Sequence, residues 1–301
     1  YEVTIIHSGK PTVTPDDSYK EIILLLTKKG VFSIQNGLIK ELQKVNYNVI
    51  IGMLDLHWIG ILRASRKFKE KFIWWGIGVS NKKIGNKIRA SILKSGTPMI
   101  FYTEEGVETF RKLGIDKKNL FYCNNTIHIE NRVKCFEVQE KKSILFVGSL
   151  DERKQNDVLF EAFNNIKDDI DPAVTLDIVG SGVQDEYLKQ LAKKLDLEDR
   201  INFHGSTNET KILENFFKKA ICSVSFGQAG LSVLLSLGYG VPFITKTNAI
   251  SGGEKNNIVN GENGLFCDDN VKSLEEKLKL ICNDIPKAKL FILEIDKKKV
   301  E

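Results

Sequence analysis

Apolar positions in this chain recur in two alternating styles, short continuous runs and stripes at helical spacing, most clearly in its second half. Residues 143–148 (SILFVG) form an unbroken apolar run, the pattern of a parallel strand buried on both faces. Val158, Leu159, Ala162, Phe163 and Ile166 then mark one face of a helix. The unit repeats as strand 175–179 before a helix with Leu188, Leu191 and Leu195, and as strand 201–204 before helix 211–220. The stretch 223–245 compresses it further. Val224 and Phe226 alternate as in a strand, Gly227-Gln228-Ala229-Gly230 breaks the pattern, 231–237 is an apolar helical run, and 241–245 is a second strand. Strand, glycine turn, short helix, strand is a parallel crossover.

The first half reads as a second α/β domain, 1–130, with strands at 3–7, 49–53, 72–75, 99–102 and 120–122. Helical patterns lie between them, for example 37–45 with Leu38, Leu42 and Val45 on one stripe. Such alternation predicts a parallel sheet covered on both faces. Residues 131–142 are polar and aperiodic and are read as the linker, 143–283 as the second domain, and 284–301 as a lysine-rich tail. In 79–94, Ile84, Ile88 and Ile92 repeat at helical spacing among Lys82, Lys83, Lys87, Arg89 and Lys94. This segment either packs its isoleucines on the sheet or faces a membrane.

Composition narrows the class. A length of 301 residues suits about two domains, and 42% apolar with 28% charged residues is ordinary for a soluble globular protein. No apolar run approaches the roughly 20 residues that cross a bilayer. Residues 1–6 read at once as a strand, not a signal peptide, which raises the expectation of a missing N-terminal segment. Five cysteines without a CxxC pair argue against a zinc site or disulfide framework and for a reducing, cytoplasmic setting. A net charge of +5 permits an acidic surface or phosphorylated ligand without demanding nucleic acid.

Candidate chemistry gathers at four strand ends of the second half: Gly148-Ser149, Gly180-Ser181-Gly182, Gly205-Ser206 and Gly227 to Gly230. Ligands of open α/β sheets bind at the carboxyl ends of strands. Arg153-Lys154 sets two cations at a helix start, where they oppose the helix dipole unless an anion compensates. His7 and His57 lie near strand ends and read as structural. No Ser/His/Asp order, paired carboxylate or metal-ligand spacing stands out, so no metal is expected and catalytic residues stay unassigned.

The succession FVGSLDERK (146–154), LDIVGSG (176–182), INFHG (201–205), GLSVLLSLGYGVPFI (230–244) and GGEKNNIVNGENGLF (252–266) resembles the C-terminal domain of the GT4 family of retaining glycosyltransferases. FIWWGIG (72–78), IFYTEEG (100–106) and LFYCNNTIH (120–128) look like the same family more loosely. The resemblance implies a GT-B fold, two Rossmann-like α/β domains facing each other across a cleft, with the acceptor on the N-terminal side. It implies transfer of a hexose, with retention, from a nucleotide-diphosphate sugar to a glycan or lipid-linked glycan. An acceptor of that kind would bring the protein to the inner face of the membrane. Arg153 and Lys154 would grip the pyrophosphate beside Gly148 and Ser149. Gly180, His204 and Gly205 would line the nucleotide, and the backbone of Gly227, Gln228, Ala229, Gly230 and Leu231 would face sugar and phosphate. The resemblance also implies a first strand with a glycine-rich loop, which is expected to lie upstream of this sequence. The family's two glutamates are replaced by Gly227 and Leu235, an arginine by Ser149, and a sugar-contacting histidine by Ile77. These departures raise a second reading, a degenerate GT-B protein that binds a nucleotide or a protein partner without turnover.

Overall fold

The structure is a computed structural model that describes residues 1–9, 19–80, 82–129 and 140–284. The linker residues 131–139 and the tail beyond 284 lie outside the described residues. The chain forms two compact units, Tyr1–Asn124 and Asn125–Glu301.

The first unit opens with two parallel strands, β1 (Val3–His7) and β2 (Tyr19–Ile23), and an antiparallel hairpin, β3 (Leu26–Lys29) with β4 (Phe32–Gln35). Its main sheet is parallel, in the order β5 (Ile50–Met53), β6 (Phe72–Gly76), β7 (Met99–Phe101), β8 (Leu120–Tyr122). Helices α1 (Leu38–Lys44), α2 (Ile59–Lys67), α3 (Lys83–Leu93) and α4 (Glu104–Lys112) supply Leu38, Leu42, Ala64, Ala90, Leu93 and Phe110 to a core around Phe72, Trp74, Met99 and Phe101. A cavity of about 320 Å³ is lined by Thr4, Ile6 and His7 of β1 and by residues 50–53 of β5. Among the described residues, the β5 edge facing it pairs with no strand.

In α3 the structure corrects one expectation. Ile84 and Ile88 do not pack on the sheet; they are 69% and 48% exposed, while Ala90 and Leu93 are buried. At about 100° per residue, Ile84 stands roughly 180° from Leu93. Ile92, on the flank, touches the core. The three isoleucines span only about 80° of the helix, but the buried side of α3 is centred on Ala90 and Leu93, so only Ile92 reaches the core.

The second unit carries one six-stranded sheet. Its strands are β9 (Ser143–Val147), β10 (Thr175–Val179), β11 (Ile201–Gly205), β12 (Ala220–Val224), β13 (Phe243–Lys246) and β14 (Gly264–Cys267). They lie in the order β11-β10-β9-β12-β13-β14, all parallel. This is the doubly wound order whose direction reverses between β9 and β12. Ile144 and Phe146 point to the face covered by α5 (Asn156–Ile166), α6 (Asp185–Lys194) and α9 (Val271–Asn283), while Leu145 points to the other. There α7 (Thr210–Lys219) adds Leu213 and Phe217, and α8 (Leu231–Gly238) adds Val233 and Leu237 to a neighbouring cluster. The unbroken apolar run of β9 follows from burial on both faces. Lys141 and Lys142 are tied to the end of α7: the Lys141 ammonium donates to the Lys218 carbonyl (2.8 Å), and the Lys142 amide donates to that of Lys219 (3.0 Å).

Candidate functional site

Reversal of strand order lets the connections leaving β9 and β12 diverge to opposite faces, which opens a crevice at their carboxyl ends. Backbone hydrogen bonds join these strand ends. Gly148 donates to the Val179 carbonyl (3.0 Å), Gly180 to that of Gly205 (2.8 Å), and Gly227 to that of Lys154 (3.0 Å). The approach is close enough to demand glycine. A β-carbon at Gly180 would overlap the Gly148 carbonyl oxygen, and one at Gly227 would overlap that of Arg153.

Residues 149–155 connect β9 to α5 through a single tight turn. Asp151 caps it, accepting from the Arg153 amide (3.1 Å) and from the Ser149 hydroxyl (2.8 Å). The Arg153 guanidinium folds back and donates from Nε (3.2 Å) and Nη2 (2.8 Å) to the same carboxylate. That guanidinium, and then the Ser149 hydroxyl, hold the Asp151 carboxyl down at about 2 against the opposing effect of burial. Arg153 itself stays 62% exposed.

Lys154 differs from its neighbour in every respect. It is 8% exposed, and its Nζ packs beside Gly148, within 3.7 Å of where a β-carbon would sit. Burial is the main influence on its ammonium and lowers its pKa, as does the Arg153 charge, while Asp151 and Glu254 act in the opposite sense. No side-chain hydrogen bond or ion pair reaches it from the described residues. An ammonium taken out of water without a partner is costly. Its position at the crevice marks a place where an anion would be favoured.

On the β12 side, Ala229 donates to the Ile250 carbonyl (2.8 Å), and the Ser225 hydroxyl donates to that of Gln228 (2.7 Å), which fixes the loop. Gly230 begins α8 with no side-chain cap, and open space lies where its β-carbon would be. Uncapped amides at a helix start suit an anion. Leu231 is half exposed, whereas Leu235 packs against the cluster of Leu145, Val179 and Tyr239.

His204 is engaged away from the loops. Its Nε2 lies 3.0 Å from an Asp177 carboxylate oxygen that also accepts from Asn202 (3.0 Å), and its ring packs at 4.5 Å from that of Phe216. Asp177 is buried in β10 and went unnoticed in the sequence, although one acid inside the apolar run LDIV was a usable signal. Two more residues were missed. Asn156, the first residue of α5, is buried with neither amide atom partnered. Glu254 is buried in the loop after β13, accepting from Asn125 (3.0 Å), Ser251 (3.1 Å) and the Gly252 amide (2.8 Å). In the first unit His7 pairs with Glu21 and His57 with Asp55, each at 2.8 Å. Among the described residues no group of three His, Cys, Asp or Glu side chains could hold a metal ion, and no helix is long and apolar enough to cross a membrane. Burial pushes the thiols of Cys267 and Cys282 up to about 12 and that of Cys222 up as well, while Cys123 is exposed.

Two Rossmann-like α/β units in one chain, the second wound in the dinucleotide-binding order, define a protein of the GT-B class. Residues 128–295 match the family described as glycosyl transferases group 1, and the chain belongs to that family. An uncharacterized glycosyltransferase of Haemophilus influenzae is 31% identical over 164 residues, which cover 54% of this chain and 44% of that protein. The match thus spans less than half of this relative's length. Among solved structures, the sucrose-phosphate synthase of Thermosynechococcus elongatus superposes with a TM-score of 0.73 at 15% identity, covering 98% of this chain and 83% of that one. Anabaena HepE in complex with UDP-glucose gives 0.69 at 14%, covering 93% and 81%. S. aureus TarM, in complex with UDP and α-GlcNAc-glycerol among other ligands, gives 0.68 at 18%, covering 89% and 56%.

Proposed function

We propose that this chain transfers a hexose, with retention, from a nucleotide-diphosphate sugar to a glycan or lipid-linked glycan, a step of polysaccharide assembly of the GT4 kind. The observation that carries the reading is Lys154, a buried ammonium with no side-chain hydrogen bond or ion pair among the described residues, at the switch point of the second sheet. A diphosphate would supply its missing counter-charge. Arg153 keeps free N–H groups for a second phosphate oxygen while Asp151 orients its fork. The uncapped start of α8 adds backbone donors. With cations and amides on the leaving diphosphate, positioning and charge stabilisation do the chemistry, and no metal is required. Gly148, Gly180, His204 and Gly205 would lie along the nucleotide, Gln228 and Ala229 along the sugar. The acceptor falls to the first unit. The protein would work in the cytoplasm, against the membrane where the acceptor is lipid-linked.

A second reading, a nucleotide binder without turnover, is favoured by Gly227 and Leu235. No side chain fits at position 227, and position 235 is set among apolar neighbours. Titration with UDP, GDP, ADP and CMP, followed by assay of nucleotide release from the matching sugar form, tests both. Binding with release supports the transferase, and binding without release the binder. Absence of binding by any nucleotide, or unchanged affinity in an Arg153→Ala, Lys154→Ala variant, overturns the phosphate assignment.

A further inference from the structure

Gln155 ends the turn between β9 and α5 in an unusual conformation. Its φ of 54° and ψ of 48° lie in the left-handed region, which among the described residues only Asp196 shares outside glycine. Aspartate reaches that region with the local help of a short polar side chain. Glutamine has no such help, and glycine would serve there without strain. Strain of this kind persists where the surroundings hold it, and it gathers at functional sites.

A contact accompanies the strain. Position 227, across the crevice on the loop after β12, has no side chain, and that of Gln155 fills the space. Its Cγ and Oε1 each stand 2.8 Å from where a Gly227 β-carbon would be. Oε1 is enclosed and has no hydrogen-bond partner, although a buried polar atom left unpaired is costly. The residue as a whole is only half-buried. Because a half turn of the amide exchanges oxygen and nitrogen without changing its shape, it can offer either a donor or an acceptor.

Beside it in the chain, Lys154 marks the place of an anion. Gly180 and Gly205 lie at the ends of β10 and β11, on the side of β9 away from β12. A nucleotide on that side, with its diphosphate at Lys154, brings the next group of the donor, the sugar, to the β12 loop and Gln155. We infer that Gln155 is a specificity residue for the transferred sugar, its carboxamide bonding a hydroxyl of the hexose over Gly227. The inference rests on the nucleotide-sugar reading given above and adds the side chain that tells the sugar form from the bare diphosphate. A hydroxyl donates and accepts, as the amide does. A neutral amide beside a diphosphate also escapes the repulsion that a carboxylate would meet.

Calorimetric titration of the full chain tests it. The probes are UDP with UDP-glucose, UDP-galactose and UDP-N-acetylglucosamine, and GDP with GDP-mannose; the sugar form that binds best is taken forward with its diphosphate. Gln155→Met keeps the volume over Gly227 and removes the hydrogen bond, whereas Gln155→Gly removes the side chain and the strain. Both are expected to bind the sugar form about tenfold more weakly, with affinity for the diphosphate within about twofold and melting unchanged. Among deoxy forms of that sugar, the one lacking the contacted hydroxyl binds the original about tenfold more weakly, and the Gln155→Met protein no more weakly than the intact sugar form does. A Gln155→Met protein with unchanged affinity for the sugar form, additive losses for every deoxy sugar, or equal loss of diphosphate and sugar form overturns this inference and leaves the nucleotide-sugar reading standing. Binding of no nucleotide at all overturns both.

Discussion

Replacement of Lys154 by methionine moves two observables in opposite directions. The chain is of similar length and reach, so the packing beside Gly148 is kept while the charge is removed. In the free protein that charge is desolvated and has no direct hydrogen bond or ion pair from a side chain among the described residues. Exchange of a poorly compensated buried charge for an apolar side chain is commonly neutral or stabilising, by about 1 kcal/mol or more. For a unit of this size, 1 kcal/mol corresponds to roughly 2–4 °C in melting temperature. A nucleoside diphosphate, in contrast, loses a charge-assisted contact, which costs about 1.5–3 kcal/mol, or roughly 10- to 150-fold in affinity at 1.4 kcal/mol per decade.

Linkage gives the same substitution a pH signature. Burial lowers the Lys154 pKa in the folded protein, so the unfolded chain holds its proton to higher pH. The cost of the charge is therefore present in full at neutral pH. It is relieved as pH rises through the folded value toward the ordinary 10.5. Lys154→Met flattens that rise in stability. Differential scanning fluorimetry across the alkaline range and calorimetric titration with UDP and GDP read both effects. A Lys154→Met protein that melts lower and binds as tightly as the original refutes the idea of a cation reserved for a ligand.

Gly227→Glu, which places an acid where the resemblance to the GT4 family implies one, should destabilise the second unit by about 1–3 kcal/mol through overpacking against the Arg153 carbonyl. It should not raise turnover; a more active Gly227→Glu enzyme with an unchanged denaturation midpoint would contradict the steric argument. His204→Ala leaves Asp177 with Asn202 as its only side-chain donor among the described contacts and should cost about 1–3 kcal/mol in urea unfolding. A loss under 0.5 kcal/mol would return His204 to a role outside the fold. Asp151 sits at about 2, below the ordinary 3.8. Its stabilising contribution is present above the ordinary value and fades as pH falls toward 2. Asp151→Asn should therefore flatten that part of the acid unfolding curve, and an unaltered acid limb would show that the Arg153 pair adds no stability.

Much of the second unit was legible in the linear pattern because burial on two faces leaves a strong signature. The run 143–147 could only be a central strand, and helical stripes between such runs imply parallel crossovers and their order of layers. At Gly180, Gly182 and Gly227 tight backbone approach excludes every other residue, so these strand-end glycines stood out in the sequence. The hairpin β3–β4 escaped notice because its strands are four residues each and interrupted by lysines, although Gly30 between Lys29 and Val31 marked the turn. Face and depth were another matter. Arg153 and Lys154 are adjacent cations in the sequence, yet one lies in solvent on Asp151 and the other is buried beside Gly148. Ile84, Ile88 and Ile92 could be read as a sheet-packing stripe or as an outward face, and packing buried Ala90 and Leu93 with only Ile92 of the three against the core. Nothing near His204 in the sequence announced Asp177, 27 residues earlier, which the neighbouring strand brings alongside it. Spacing along a chain records which residues share a helix or strand, but burial and partnership depend on what the neighbouring elements bring, and only the folded chain assembles those neighbours.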